Sequence, residues 1–294
     1  MPELTKELIG MDRISPSALD CFEQCPRLFY YQNWLGLNID NDKLHMDFGT
    51  AIHSAIEAVY LEYDRNFGGG WESGNFENVK KRFLQRWKPT SISDQSYQNY
   101  MRTKAGRESG FRSVIELYSH FKNDGLKMLE SYWKEKELLL TEYGHDLSEF
   151  ELPRRLEMVC PTDPNKKLPI PLSYRIDARN KDCTVQVDFK TSGSKYDEEE
   201  TRKKIQGQCY VFGTLMETGK LVGRFDYVVL RKGLKSDDRI QVVKLEYDEA
   251  DMVAFYFRVE AILHKIANRE FDIPKVGHLH FCRCKDYEEA LSVK

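Results

Sequence analysis

The sequence predicts an α/β or α+β fold, and three observations carry that reading. Residues 172–178, 183–189, 224–231 and 239–246 show strand-like patterns. Segments with helical periodicity stand before and between them, which separates this chain from an all-β one. The 294 residues are 41% hydrophobic and 12% aromatic, enough apolar mass for a large core. No apolar run approaches the roughly 18 residues that span a bilayer.

The elements follow in order. Ser15 or Ser17 can cap a first helix, Pro16 suits its first turn, and Pro26 stands just past its end at Cys25. A second helix is predicted over 48–63, where Ile52, Ala55, Ile56, Val59 and Tyr60 keep the helical repeat. Gly68, Gly69 and Gly70 break it. Residues 71–148 read as mostly helical, with loops near Pro89 and at 91–93, and no internal repeat. From Glu151 the period becomes strand-like, and Asn180-Lys181-Asp182 reads as the turn between two strands. A helix is predicted over 197–217, its acidic start favoured by the helix dipole. Two further strands precede a last helix, capped by Asp248 and reaching about residue 268. The tail carries Cys282 and Cys284.

Charge narrows the function. Forty-four basic residues face 47 acidic ones, a net −3 that excludes a globally basic nucleic-acid binder. One stretch departs from this. Between Val79 and Arg112 nine basic residues face only Asp94 and Glu108, with Phe83, Trp87, Tyr97, Tyr100 and Phe111 interleaved. That composition suits a single-strand track in which cations follow phosphates and rings stack on bases. Lys80, Lys81, Arg86 and Arg102 are then the contact residues, with Trp87 and Tyr100 as stacking rings. The alternative is a solvated helix face with Phe83 and Trp87 turned into the core. Seven cysteines, an odd number, and an amino end without an apolar signal core lead us to expect reduced thiols and a cytoplasmic protein. No Gly-x-x-x-x-Gly-Lys-Ser/Thr loop is present, so strand separation would need a partner such as a helicase.

The chemistry concentrates in Arg175-Ile176-Asp177 and Val187-Asp188-Phe189-Lys190-Thr191-Ser192. Along a strand Asp188 and Lys190 share a face, while Val187 and Phe189 point the other way. A hairpin can set Asp177 alongside Asp188. Two carboxylates about 4 Å apart repel by about 4 kcal/mol at an effective dielectric near 20, and a divalent cation between them reverses the sign. Gln206 and Tyr210, at i and i+4, share a helical face. His53 lies on an otherwise apolar helix; alone, it reads as a core histidine bonded to a neighbour such as Glu57. An Asp…Asp-x-Lys pattern alone is also compatible with ordinary surface.

Taken in order, Cys25-Pro26-Arg27, Gly49-x-x-x-His53, Arg175-Ile176-Asp177, Val187-Asp188-Phe189-Lys190 and Gln206-x-x-x-Tyr210 resemble the RecB-type branch of the PD-(D/E)XK nucleases. That branch includes the AddB nuclease domain and small CRISPR adaptation exonucleases. The resemblance implies an α/β, restriction-endonuclease-like core: a mixed central sheet flanked by helices, as one domain over 1–294. A helical insertion then covers about 66–148 and a cysteine-containing tail about 269–294. It implies metal ligation by His53, Asp177, Asp188 and the Phe189 carbonyl, with Lys190 as catalytic lysine and Gln206 and Tyr210 placing substrate and lysine. Glu151, or Glu157 in its stead, matches an acidic residue on the preceding strand. Carboxylates and water suit Mg²⁺ or Mn²⁺, and an imidazole tilts the choice towards Mn²⁺. The implied activity is metal-dependent hydrolysis of DNA by an exonuclease preferring single-stranded ends. The alternatives are a structure-specific endonuclease, or a non-catalytic DNA-binding subunit of a recombination or defence complex. Tyr174 departs from the family, which usually has Gly there, so the ring would either crowd the substrate path or point away.

Several relatives hold a four-iron, four-sulfur cluster on one amino-terminal and three carboxy-terminal cysteines. Cys25 and Cys284 match, Cys282 is one residue off, and the last expected cysteine falls near Ala290. Cys21 is the substitute considered for the fourth place, since it shares a helical face with Cys25. Cys21, Cys25, Cys282 and Cys284 are thus a candidate cluster or zinc set, or else reduced thiols. Cys160, Cys183 and Cys209 read as packing residues.

Overall fold

The computed structural model describes residues 4–37, 43–65, 75–234, 239–273 and 282–292. The chain opens with α1 (Lys6–Ile9), α2 (Pro16–Gln24) and α3 (Pro26–Phe29), then a wide turn of π type at Tyr30–Trp34. Ser15 caps α2 by accepting from the Ala18 N–H at 3.2 Å, with Pro16 in the first turn. Just before it, Ile14 makes a parallel bridge to Leu172, which fastens the start of α2 to the sheet.

The helical block follows: α4 (Leu44–Arg65), α5 (Phe76–Arg86), α6 (Asp94–Arg102), α7 (Lys104–Ser109) and the 30-residue α8 (Val114–Tyr143). The glycine break at 68–70 lies outside the described residues. Gly125 lets α8 lie against α4 and α5, for a Cβ there would stand 2.6 Å from Phe83 and 3.1 Å from Phe48. Trp87 is fully buried beside Phe48, Tyr118 and Phe121. Tyr100 packs on Phe111 and Phe121. This corrects the reading of both as base-stacking rings: the apolar stripes of α5 and α6 face inward, and the rings are core.

The strands are β1 (Leu147–Leu156), β2 (Val159–Cys160), β3 (Asp163–Lys167), β4 (Leu172–Asn180) and β5 (Val185–Ser192). After α9 (Glu198–Arg202) and α10 (Ile205–Thr218) come β6 (Arg224–Arg231), β7 (Ile240–Leu245), α11 (Glu249–Ala267) and α12 (Cys284–Ser292). The five-stranded sheet runs β1-β4-β5-β6-β7, with β5 and β6 parallel and the other pairs antiparallel. β2 and β3 form a separate pair. Helices cover both faces. On one, Tyr174, Ile176, Phe225 and Val229 pack with α2, α10 and α11; on the other, Val187, Phe189, Val228 and Leu230 pack with α4, α5 and α8. This is the mixed sheet between helices that the sequence implies.

The helix expected over 197–217 is in fact two. Asp197 caps α9 by accepting from the Glu200 N–H, and the backbone of Lys204 is extended. The Arg202 and Lys203 carbonyls, which a continuous helix would use, accept instead from the Tyr247 hydroxyl and the Arg258 guanidinium. Asp248 caps α11 in a reciprocal box with Asp251, as expected. No helix among the described residues is long and apolar enough to cross a membrane.

Candidate active site

Sheet register brings three acidic residues to one level on three adjacent strands. Phe150 and Leu152 of β1 pair with Ala178 and Ile176 of β4, which sets Glu151 opposite Asp177. Ala178 pairs with Val187 of β5, which sets Asp177 next to Asp188. Glu151 takes φ +49°, a left-handed conformation that costs a non-glycine residue on the order of 1–3 kcal/mol. From α4, the His53 Nδ1 lies 3.5 Å from Asp177 Oδ2 and 3.9 Å from Glu151 Oε1. One ligand atom from each of His53, Glu151 and Asp177 lies within 4.8 Å of the others. The Phe189 backbone holds this corner together: its N–H donates to Asp177 Oδ2 at 3.0 Å, and its carbonyl accepts from His53.

Asp188 is fully buried beside this group and turned elsewhere. Its Oδ1 accepts from Gln206 at 3.0 Å, and its Oδ2 lies 2.6 Å from Lys190 Nζ. His53, Glu151 and Asp177 thus lie together in this geometry, while Asp188 faces the lysine. Gln206 also donates to the Tyr210 hydroxyl at 2.8 Å, so the i, i+4 pair acts on one face of α10 as its spacing predicts. Glu157 pairs with Lys167 at 2.9 Å, whereas Glu151 of β1 lies in the group. Glu57, considered as a partner for His53, faces Arg82 instead.

The electrostatics follow from this crowding. Burial, then the neighbouring Asp188 charge, pushes the Asp177 carboxyl well above the usual carboxylate range. Burial lowers His53 and favours its neutral, ligating form. Burial opposes the charged form of Lys190, but Asp188 and Asp177 outweigh it and raise its pKa. A divalent cation between the imidazole and the carboxylates would favour the ionised carboxyl and the neutral imidazole.

Next to the group a cleft of about 740 Å³ is lined by Lys190, Gln206, Tyr210, Arg175, Lys204 and the start of α2. Tyr174 also reaches its wall, but its ring points into the core. It stacks near Tyr210 at 5.7 Å and occupies the space above Gly213, where a Cβ would meet its hydroxyl at 2.2 Å. The departure from glycine is therefore accommodated by a glycine on α10.

The basic insertion shows a mixed outcome. Lys81, Arg86 and Arg102 are exposed, and Lys80 and Lys81 border a shallow groove with Lys88. Lys80 is paired with Glu77 and lies over the Phe76 ring. Arg82 donates to Ser54, the neighbour of His53, and so ties this block to the site.

At the chain ends, one sulfur from each of Cys25, Cys282 and Cys284 lies within 4.8 Å of the others. Cys21 donates its thiol to Gln32 at 3.8 Å and lies near enough to Cys25 and Cys282 for their charges to act on it. Three thiols converge at this spacing, one fewer than the four-cysteine set of an iron–sulfur cluster, with Cys21 near them. Tyr287 stacks on Tyr31 at 5.4 Å, and Gln32 donates to the Tyr287 hydroxyl at 3.1 Å, so α12 docks against the amino-terminal helices. Burial pushes the Cys284 thiol up to about 12. None of the seven cysteines is in a disulfide. Cys160 and Cys209 are buried in the core, while Cys183 is half-exposed at the turn before β5, with φ +54°.

Fold and cleft together define the class: an α/β protein with imidazole, carboxylate and ammonium groups gathered at the middle of a mixed sheet. The chain matches the family model described as the PD-(D/E)XK nuclease superfamily over residues 13–287, and it belongs to that superfamily, whose members are generally metal-dependent nucleases. No curated protein matches the chain. Among solved structures it is similar to a chain described as "Crystal structure of SSO0001", at 17% identity over 51% of this chain and 69% of that one. The TM-score is 0.28, too low to bear on fold or function.

Proposed function

We propose that the chain is a divalent-metal-dependent deoxyribonuclease of the RecB type, an exonuclease that prefers single-stranded ends, with 66–148 inserted into one nuclease domain. The observation that carries this is the convergence of His53, Glu151 and Asp177 beside the Asp188–Lys190 pair, in a chain of this superfamily. His53, Glu151, Asp177 and the Phe189 carbonyl would hold the metal, with Asp188 completing the set once it is released from Lys190. Mn²⁺ or Mg²⁺ fits these donors, the imidazole favouring Mn²⁺. Such an ion neutralises charge on the phosphate and makes the attacking water more acidic.

The protein's own groups do the rest. Lys190 is held at the mouth of the cleft by Asp188, ready to orient water or stabilise a phosphate oxygen. Gln206 fixes Asp188 from α10, and Tyr210 fixes Gln206. The exposed cations Lys81, Arg86 and Arg102 offer a path for a strand's phosphates. A helicase or a recombination or defence complex would supply single-stranded ends. The reduced thiols suit a reducing compartment, so we assign the protein to the cytoplasm. The three-thiol group suits one thiophilic ion, zinc being our candidate, with a fourth ligand of another kind.

The deciding experiment incubates wild type and Asp188→Ala with an end-labelled single-stranded oligonucleotide and Mn²⁺. Wild type should release a ladder of short products from an end, and the variant should fall at least about 100-fold. Internal fragments would mean an endonuclease. Equal digestion by both proteins would mean contamination and end the site assignment. Binding without cleavage by wild type would leave the non-catalytic subunit as the reading.

A further inference from the structure

Lys204 is held where a cation is costly. It stands at the N-cap of α10, next to the positive end of a 14-residue helix dipole. Burial and the neighbouring Lys190 both act against its charge; Asp188 and Asp20 favour it. Among the described residues no carboxylate oxygen lies within ion-pair distance of its Nζ. Its ammonium instead lies 3.5 Å from the centre of the Tyr196 ring and 5.6 Å from that of Tyr227. The Tyr196 ring is a fixed platform, because its backbone N–H and carbonyl are both bonded to the Gln241 side chain, at 2.9 and 2.7 Å. Beyond the platform the lysine lines the same cleft as Lys190, Gln206 and Arg175.

A half-buried ammonium with a ring beneath it and no ion-paired carboxylate among the described residues, in a cleft it shares with Lys190 and Asp20, is arranged for an anion from outside. We infer that Lys204 binds a backbone phosphate of the substrate strand adjacent to the phosphate under attack, and so fixes the strand's register in the cleft. This rests on the nuclease reading.

The test compares wild type, Lys204→Met and Lys204→Arg on a fluorescein-labelled oligothymidylate of about 20 nucleotides, longer than a typical single-strand site. Turnover is measured in Mn²⁺. Binding is measured in parallel by anisotropy in Ca²⁺, over about 50–200 mM salt. Lys204→Met should raise KM about tenfold, the range of a lost charge-assisted hydrogen bond, with kcat changed far less. The slope of log affinity against log salt should flatten by roughly 0.7, one single-strand phosphate contact. Lys204→Arg should recover most of the affinity. The melting temperature of Lys204→Met should not fall, since an unfavourable charge has been removed.

An unchanged KM and salt slope would overturn the inference. So would a melting temperature that falls in Lys204→Met and drags KM with it, since that marks a structural lysine. If Lys204→Met fails to fold, Lys204→Gln replaces it under the same criteria. If wild type leaves the oligonucleotide intact, the nuclease reading falls, while the anisotropy arm still decides whether Lys204 holds a phosphate.

Discussion

Two groups of side chains that could hold a metal ion lie among the described residues, and they are built differently. His53, Glu151 and Asp177 offer nitrogen and oxygen donors, each only partly buried, beside a cleft. Their positions come from strand register and one helix, so the sheet aligns them before any ion arrives. Cys25, Cys282 and Cys284 offer sulfur donors, two of them buried, at the junction of the two chain ends. Their positions depend on α12 docking against α2 and α3. An open group of hard donors suits chemistry with an exchangeable ligand; a closed group of soft donors suits a structural clasp. On the proposed reading, the first group acts and the second clasps the chain ends.

The largest expected effect falls on the first group. Lys190→Met should lower kcat by about 100- to 1,000-fold, the scale of losing one charge-stabilising group, and should also lower the melting temperature of the metal-free protein, because fully buried Asp188 loses its counter-charge. Removing Lys190 frees Asp188 from its 2.6 Å partner, so affinity for Mn²⁺ should be retained. A variant that keeps full activity would remove the distinction between an acting and a clasping site.

How much of this site can be read in the sequence depends on the kind of geometry involved. Asp177 beside Asp188 follows from two strands and a turn, and Gln206 above Tyr210 from helical spacing; both rest on local periodicity. The caps at Ser15 and Asp248 were equally legible. Glu151 was one of two choices, because its approach to His53 depends on a positive φ that no local pattern announces. The turning of Asp188 towards Lys190, rather than into the ligand group, is a matter of packing. Trp87 and Tyr100 show the same limit from the other side. A basic stretch with rings can be a track or an amphipathic helix, and only the presence of α4 and α8 behind those rings decides. Lys204 was hidden by the assumption of one unbroken helix. The carbonyls at the interruption are taken by Tyr247 and Arg258, 45 and 55 residues away in sequence.

A middling effect tests the second group. Cys284→Ser should lower the melting temperature by roughly 4–8 °C, since about 2 kcal/mol in a chain of this size moves the midpoint by that much. Activity measured well below the transition should stay within a few-fold of wild type. Elemental analysis should find about one zinc per chain in wild type and in Asp177→Asn, and none in Cys284→Ser. Iron in place of zinc, in cluster stoichiometry, would mean that a fourth ligand completes a cluster. Zinc lost from Asp177→Asn would show that the two groups are not independent.

The smallest effect is the pH dependence of stabilisation by Mn²⁺, and it follows from the shifts at the first group. Asp177 has its folded pKa raised by burial and by Asp188. Its contribution to the metal-free protein is therefore fully present below the unfolded value near 3.9 and is lost as pH rises through the raised value. His53 has its folded pKa lowered by burial. Its contribution is present above about 6.5 and lost as pH falls through the depressed value. A divalent ion needs Asp177 ionised and His53 neutral, so binding displaces protons and tightens as pH rises. Saturation to about 100 times Kd adds about 2.7 kcal/mol. The Mn²⁺-induced rise in melting temperature should thus be several degrees at about pH 8 and shrink towards zero at about pH 5.5. Asp177→Asn, which has no proton to release, should give a small rise that varies less over this range. The thiol group shares no residue with these ligands and should leave the profile unchanged when Cys284 is replaced by serine. A Mn²⁺ response equal at both pH values would mean that the ion binds elsewhere, and the open group would lose its claim to the chemistry.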